Sequence, residues 1–183
     1  MSGQPGLTSR IQTLDTTLTM PLTLPPRRGL AQLAALGLAH SGDSPVWAGL
    51  CVLAWLLGGA DWKARAVVVF AGLVIAEIVV VVVKMCIRRP RPPGTAGRIY
   101  RRADPYSFPS GHAARAAMLC VVSLVMGPAA AALAVTAWSP LMIMSRIAIG
   151  IHYVFDVIAG IALGMLLSVG LLALAPALTS WIS

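Results

Sequence analysis

From Ala66 to Val83 the chain runs through eighteen consecutive positions at which Glu77 is the only charged residue. That length and polarity suit a helix crossing the hydrocarbon core of a bilayer, which takes about 20 residues. The valine runs would favour a strand in water. In lipid an open sheet leaves backbone groups without partners, whereas a helix satisfies its own, so a helix is expected. The surrounding span is read as 63–84. Four more stretches have similar character: 45–60, 110–127, 129–149 and 153–176, with Pro140 expected to kink the span 129–149. The expected fold is an all-α, polytopic transmembrane bundle of about five spans.

Composition supports this reading. Of 183 residues, 58% are apolar and 11% charged, against about 25% charged in an ordinary soluble domain. A soluble globule of this size could not hide so much apolar surface. A disordered tail, a disulfide scaffold and a cytosolic enzyme are thereby excluded. Cys51, Cys86 and Cys120 are odd in number and lack CxxC spacing, so neither a disulfide framework nor a zinc site is indicated. Residues 1–28 show no apolar core of signal-peptide length. Segments 7–20 and 29–40 are too short to span, and are expected as interfacial or partly inserted helices. Pro25, Pro26 and the polar stretch HSGDSP (40–45) break them.

Fourteen Lys and Arg face six Asp and Glu, a net charge of +8, and eight of the fourteen lie between Lys84 and Arg115. Such a cluster serves topology, anionic headgroups or an anionic substrate. Nucleic acid is not an expected partner, because no RNA-binding pattern is interleaved with the bases. The long polar segment 85–109, with five prolines and two glycines, joins the second and third spans. Counting spans brings the turn near 150–152 to the same membrane face, so the two can share a pocket.

Ionisable groups at spans are costly and mark candidate sites. In Pro-Ser-Gly-His (109–112), Ser110 is placed to cap a helix. Free backbone N–H groups at Gly111 and His112 would then make either a plain cap or an anion site. His152 and Asp156 are four residues apart, a spacing that puts them on one helix face. The pair is either a structural contact or a histidine oriented by a carboxylate, with its other nitrogen free as nucleophile or base.

Taken together, the motifs are Lys84, six residues, Arg91-Pro92; Pro-Ser-Gly-His at 109–112; and Ser145-Arg146, five residues, His152, three residues, Asp156. This resembles the three-part signature of the type 2 phosphatidic acid phosphatase superfamily, which also includes vanadium haloperoxidases and acid phosphatases. The flanking spans fit its membrane-bound lipid phosphatase branch. The resemblance implies that His152 attacks phosphorus to give a phosphohistidine, oriented by Asp156, and that His112 protonates the leaving oxygen. It places Lys84, Arg91, Ser110, Gly111 and Arg146 on the phosphate, with no metal and no cofactor. The implied partners are the bilayer and a lipid phosphate: a polyprenyl phosphate or diphosphate, phosphatidylglycerophosphate or phosphatidic acid. Residues 1–43 then read as N-terminal interfacial helices and 44–183 as the transmembrane phosphatase core.

Outside the signature, Glu77 is expected in an interior hydrogen bond or ion pair, or tuning Lys84. Arg115 is expected to pair with Glu77 or to reach a second phosphate or a sugar. Gly160, Gly164 and Ser168 form a small-residue stripe suited to close helix packing. Arg88, Arg89, Arg98, Arg101 and Arg102 are expected at headgroups or as topology signals, His40 at a helix end, and the five tryptophans at the membrane interface or in packing. An anion transporter, the rival reading, predicts repeated halves with broken helices, which the sequence lacks. A non-catalytic lipid-phosphate binder would not need both histidines. Counting bases by the positive-inside rule would put the site in the cytoplasm. Substrate binding accounts for several of those bases, so the catalytic face is expected on the extracytoplasmic side of the plasma membrane.

Overall fold

The computed structural model describes residues 6–25, 29–93 and 104–182, apart from the side chains of residues 7 and 8. Arg98, Arg101 and Arg102 lie outside the described residues. Among the described residues, seven α-helices follow one another: α1 Leu7–Thr19, α2 Leu30–Ser41, α3 Ser44–Leu57, α4 Ala60–Ile87, α5 Gly111–Met126, α6 Ala129–Ala148 and α7 Val154–Thr179. The valine-rich segment is helical throughout, within α4. The sequence reading and the structure differ in the length of two elements. Three helices, α4, α6 and α7, are long and apolar enough to cross a bilayer, whereas α3 and α5 are shorter apolar helices. Gly58, extended in φ and ψ, ends α3 inside the expected stretch 45–60, whereas Gly127 ends α5 at the limit of the expected stretch 110–127.

α5 is the centre of the bundle, packed on α4, α6 and α7. Its closest neighbour is α7, and small residues are the reason. Gly160, Gly164 and Ser168 are buried along one face of α7, and a Cβ on either glycine would overlap the backbone carbonyl of Ser110 or Ala114. The small-residue stripe is thus a close helix contact, as its spacing implies. One apolar cluster joins α4, α5 and α7 through Val68, Leu73, Ala76, Met118, Leu119 and Leu171. A second joins Ala113 and Ala116 of α5 to Met142, Ile143 and Ile147 of α6 and Val157 of α7.

The bundle's outer face is apolar. Leu56, Val82, Leu133, Leu166 and Val169 are all more than half exposed, which in a bilayer is contact with lipid. Trp55 and Trp181 pair at 5.7 Å with Lys63 over the Trp55 ring, and Arg65 lies over Trp62, at the end of α4 away from Lys84. Trp47 and Trp138 instead pack at 5.0 Å, their indole nitrogens donating to the Ser41 carbonyl and hydroxyl. The packing role foreseen for tryptophan is the one these contacts show.

Candidate active site

Four helix ends meet on one face. α4 delivers Lys84 in its last turn and stops at Arg88, which adopts a left-handed conformation (φ 52°) and turns the chain back toward the bundle. Ser107 N–H donates to the Arg89 carbonyl at 2.8 Å, bringing the segment before α5 alongside. Ser110 caps α5, its hydroxyl accepting from Ala113 N–H at 3.4 Å, and its own N–H donates to the Asp156 carbonyl at 2.9 Å. α6 ends just beyond Arg146, and a tight turn with Gly150 at φ +70° leads to His152. A residue with a Cβ is strained at that φ, so glycine is required there. Ile149 and Ile151 of this turn pack on Ala35 and Ala39, which makes α2 the support of the His152 loop.

These ends enclose a cavity of about 240 Å³. Lys84, Arg91, Gly111, His112, Arg146 and His152 all line it, together with Asp43, Ser44, Glu77, Asp104 and Arg115. Two residues of the expected set do not. Ser110 is fully buried as a cap, and Asp156 lies behind His152.

His152 is 1% exposed. Its Nε2 lies 3.2 Å from an Arg91 guanidinium nitrogen. Arginine can only donate, so Nε2 accepts and the proton resides on Nδ1. Nδ1 faces the Asp156 carboxylate at 3.6 Å. Burial, reinforced by Arg91, Arg146 and Lys84 and opposed by Asp104, holds the imidazole well below its ordinary pKa of 6.5, hence neutral. One detail of the sequence reading needs correcting. His152 and Asp156 do not share a helix face, because α7 begins at Val154; His152 precedes its N-cap, Tyr153. Asp156 is held from the helix side instead, accepting from Tyr153 N–H at 2.9 Å and from Arg89 at 2.7 Å.

His112 has the opposite arrangement. Arg115 donates to its Nδ1 at 3.2 Å, so the proton is on Nε2, donated to Asp43 at 2.7 Å. Asp43 also pairs with His40 at 2.9 Å. The His112 hydrogen bond, aided by His40 and opposed by burial, keeps the Asp43 carboxyl well below the usual carboxylate range. Arg115 pairs with Glu77 at 2.8 Å, the expected ion pair, and His40 closes α2 as a helix-end residue.

Among the cations, Lys84 and Arg91 both bind the Asp104 carboxylate, with Arg91 at 2.7 Å. Arg91 also donates to the Ile151 carbonyl at 2.9 Å and the Asp104 carbonyl at 2.8 Å, and Arg146 to the Ala39 carbonyl at 3.3 Å. Three buried cations beside a neutral imidazole suit a phosphate dianion, and the Asp104 carboxylate meets two of them, Lys84 and Arg91. Sequence reasoning missed Asp43 and Asp104, which sit in polar breaks beside the motifs rather than in them. It also misplaced Arg89, which is no headgroup residue. Arg89 bridges Asp156 and Asp15, each at 2.7 Å, and lies over the Tyr153 ring at 4.1 Å. Arg88 is an exposed helix-end residue donating to the Met85 carbonyl.

Known proteins share both sequence and shape with this chain. Decaprenylphosphoryl-5-phosphoribose phosphatase of Mycobacterium tuberculosis is 36% identical over 135 residues, covering 71% of this chain and 72% of that protein. Its namesake from Mycolicibacterium smegmatis is 34% identical over 139 residues, 69% of each. The crystal structure of a transmembrane PAP2 type phosphatidylglycerolphosphate phosphatase from Bacillus subtilis superposes with a TM-score of 0.73 at 21% identity, covering 93% of this chain and 89% of that one. LpxE of Aquifex aeolicus gives 0.67 at 18% identity, over 88% and 94%. Residues 65–180, from the first turns of α4 to the end of α7, match the PAP2 superfamily, and the chain belongs to that family as a membrane phosphatase.

Proposed function

We propose that the protein removes the terminal phosphate of a lipid by way of a phosphohistidine on His152. The observation that carries this is the cavity itself, which sets the Nε2 lone pair of His152 among Lys84, Arg91 and Arg146, with His112 also on its wall. His152 Nε2 forms the N–P bond as the P–O ester bond breaks. With the anionic phosphate bound, His112 takes up a second proton, gives a proton to the departing oxygen and returns to the neutral ring, while Asp43 steadies it. Water then attacks phosphorus, the N–P bond breaks, and His112 takes back a proton. Lys84, Arg91, Arg146 and the amide end of α5 at Gly111 neutralise the equatorial oxygens, while Ser110 fixes that helix end. Asp156 orients His152 from behind.

The cavity wall carrying Asp43, Ser44 and Glu77 presents hydrogen-bonding oxygens, which suit a polyhydroxylated leaving group better than a bare alkyl one. The mycobacterial relatives are named for a phosphate on a ribose carried by decaprenyl phosphate. A polyprenylphosphoryl sugar phosphate is therefore the favoured substrate. In this reading residues 44–183 form the transmembrane core, with α3 and α5 as spans beside α4, α6 and α7. Residues 1–43 form interfacial helices, and the site faces outward from the plasma membrane. Labelling a cysteine introduced at position 98 in a Cys-free background reads the facing.

The test is phosphate release by the purified protein in detergent, with EDTA present, from decaprenylphosphoryl-5-phosphoribose, a polyprenyl diphosphate, phosphatidylglycerophosphate and phosphatidic acid. Turnover of the sugar phosphate at least tenfold faster than the others is expected, with inhibition by vanadate. Release from none of them, or dependence on added magnesium, overturns the reading.

A further inference from the structure

α1 brings one fully buried charge into the bundle. Asp15 is 0% exposed although α1 otherwise shows lipid or solvent a face of Ile11, Leu14 and Leu18. One carboxylate oxygen accepts the N–H of Phe155 at 3.0 Å. Four residues on, the Thr19 hydroxyl accepts the N–H of Val154 at 3.1 Å. Two first-turn amides of α7 are thus capped from a different helix, while Asp156 of the same turn bonds back to Tyr153 N–H. A hydroxyl or a side-chain amide could cap Phe155 equally well. A buried carboxylate is the costly choice unless its charge is used.

The charge is used on Arg89. The second oxygen of Asp15 lies 2.7 Å from one terminal nitrogen of Arg89, and the other terminal nitrogen lies 2.7 Å from Asp156. The guanidinium carbon lies over the Tyr153 ring, 4.1 Å from its centre, so the group is held by that ring and, at its two ends, by two carboxylates. A guanidinium with one carboxylate partner prefers to grip it with both ends. Here Asp15 occupies one end. Asp156 therefore keeps an oxygen for Tyr153 N–H and for the side facing His152 Nδ1.

We propose that Asp15 is a positioning residue for the reaction: by holding one end of Arg89 it fixes the Asp156 carboxylate behind the nucleophilic His152. This rests on His152 being the nucleophile. It makes α1, which lies outside the stretch matching the family, a part of the working site.

Full-length protein purified in detergent tests this, with kcat and KM measured on its best lipid phosphate. Asp15→Asn keeps size and the acceptor for Phe155 N–H but removes the charge. The expected result is a kcat at least tenfold lower with KM within threefold, in protein that elutes as the wild type does. In an Asp156→Asn background the same change should alter kcat by no more than twofold, because the group being positioned is already gone. A purely structural role would act alike in both backgrounds. Thr17→Val, at an exposed position of α1, should keep the wild-type kcat. A kcat for Asp15→Asn within twofold of wild type, or equal losses in both backgrounds, overturns the proposal. If Asp15→Asn does not fold, Arg89→Lys serves, since one ammonium cannot replace two guanidinium nitrogens that each meet a different carboxylate. The same kcat loss is expected, and wild-type kcat overturns the proposal. Inactivity of the wild-type protein on every lipid phosphate would instead remove the phosphatase reading itself.

Discussion

At His152, near-complete burial and the charges of Arg91, Arg146 and Lys84 all disfavour the imidazolium. The nucleophilic neutral form therefore persists as pH falls below the ordinary histidine value of 6.5. The rate of phosphoenzyme formation, corrected for the substrate's own ionisation, should hold its plateau through pH 6.5 and fall only below it; an acid limb above 6.5 would contradict the assignment. His152→Ala should abolish phosphate release, a loss of several powers of ten at about 1.4 kcal/mol per decade, and Asp156→Asn should slow it severely. His112 should separate from His152 by leaving group. A sugar or lipid alkoxide needs a proton and para-nitrophenolate hardly does, so His112→Ala should lose at least tenfold more activity on the lipid phosphate than on para-nitrophenyl phosphate. His152→Ala should lose both. Equal losses for His112→Ala would reassign that residue to phosphate binding. Much of this site was legible, because Lys84, Arg91, Gly111, His112, Arg146 and His152 sit in motifs whose spacing survives in one dimension. Asp43, Asp104 and Asp15 were not. A single carboxylate in a loop or an amphipathic helix carries no periodic signal, and its partner lies up to 140 residues away, as Asp15 does from Phe155.

Among the elements, the α5–α7 contact sets how accurately the two histidine-bearing helix ends are held. Gly160 and Gly164 let the α7 backbone approach the carbonyls of Ser110 and Ala114 so closely that no methyl group fits between them. Both sides are helical backbone and neither can yield by changing a rotamer. Gly164→Ala should therefore destabilise the bundle by about 1–3 kcal/mol, read as a lower unfolding temperature in detergent. Gly170→Ala, in open space on the same helix, should not. An unchanged unfolding temperature for Gly164→Ala would mean that the helices separate at little cost. Helix existence and order were readable from apolar length, and the stripe of small residues announced its own contact. The C-terminal end of α3 was not readable, because in lipid an apolar residue beyond a helix end looks the same in sequence as one within it. The capping of α7 by α1 was hidden for another reason. Asp15 and Thr19 read as ordinary polar positions of an interfacial helix, and only the fold shows that their face turns inward.

For the whole molecule, the groups lining the cavity gather at one end of the bundle, and α4 bears on how deep that end would lie in a bilayer. Its 28 residues make a rod of about 42 Å at 1.5 Å per residue, longer than the hydrocarbon core of about 30 Å. With α4 centred on the hydrocarbon core, Lys84, in its last turn, would stand at the level of the headgroups, where a lipid's phosphate resides, and a lipid substrate would not need to leave its leaflet to react. The enzyme then meets its substrate as a solute of two dimensions. In proteoliposomes its rate should follow the mole fraction of substrate in the membrane, dropping when inert phosphatidylcholine is added at constant bulk concentration. Tenfold aqueous dilution of the same vesicles should leave turnover per enzyme unchanged. A rate that tracked bulk concentration would mean that the phosphate arrives through water.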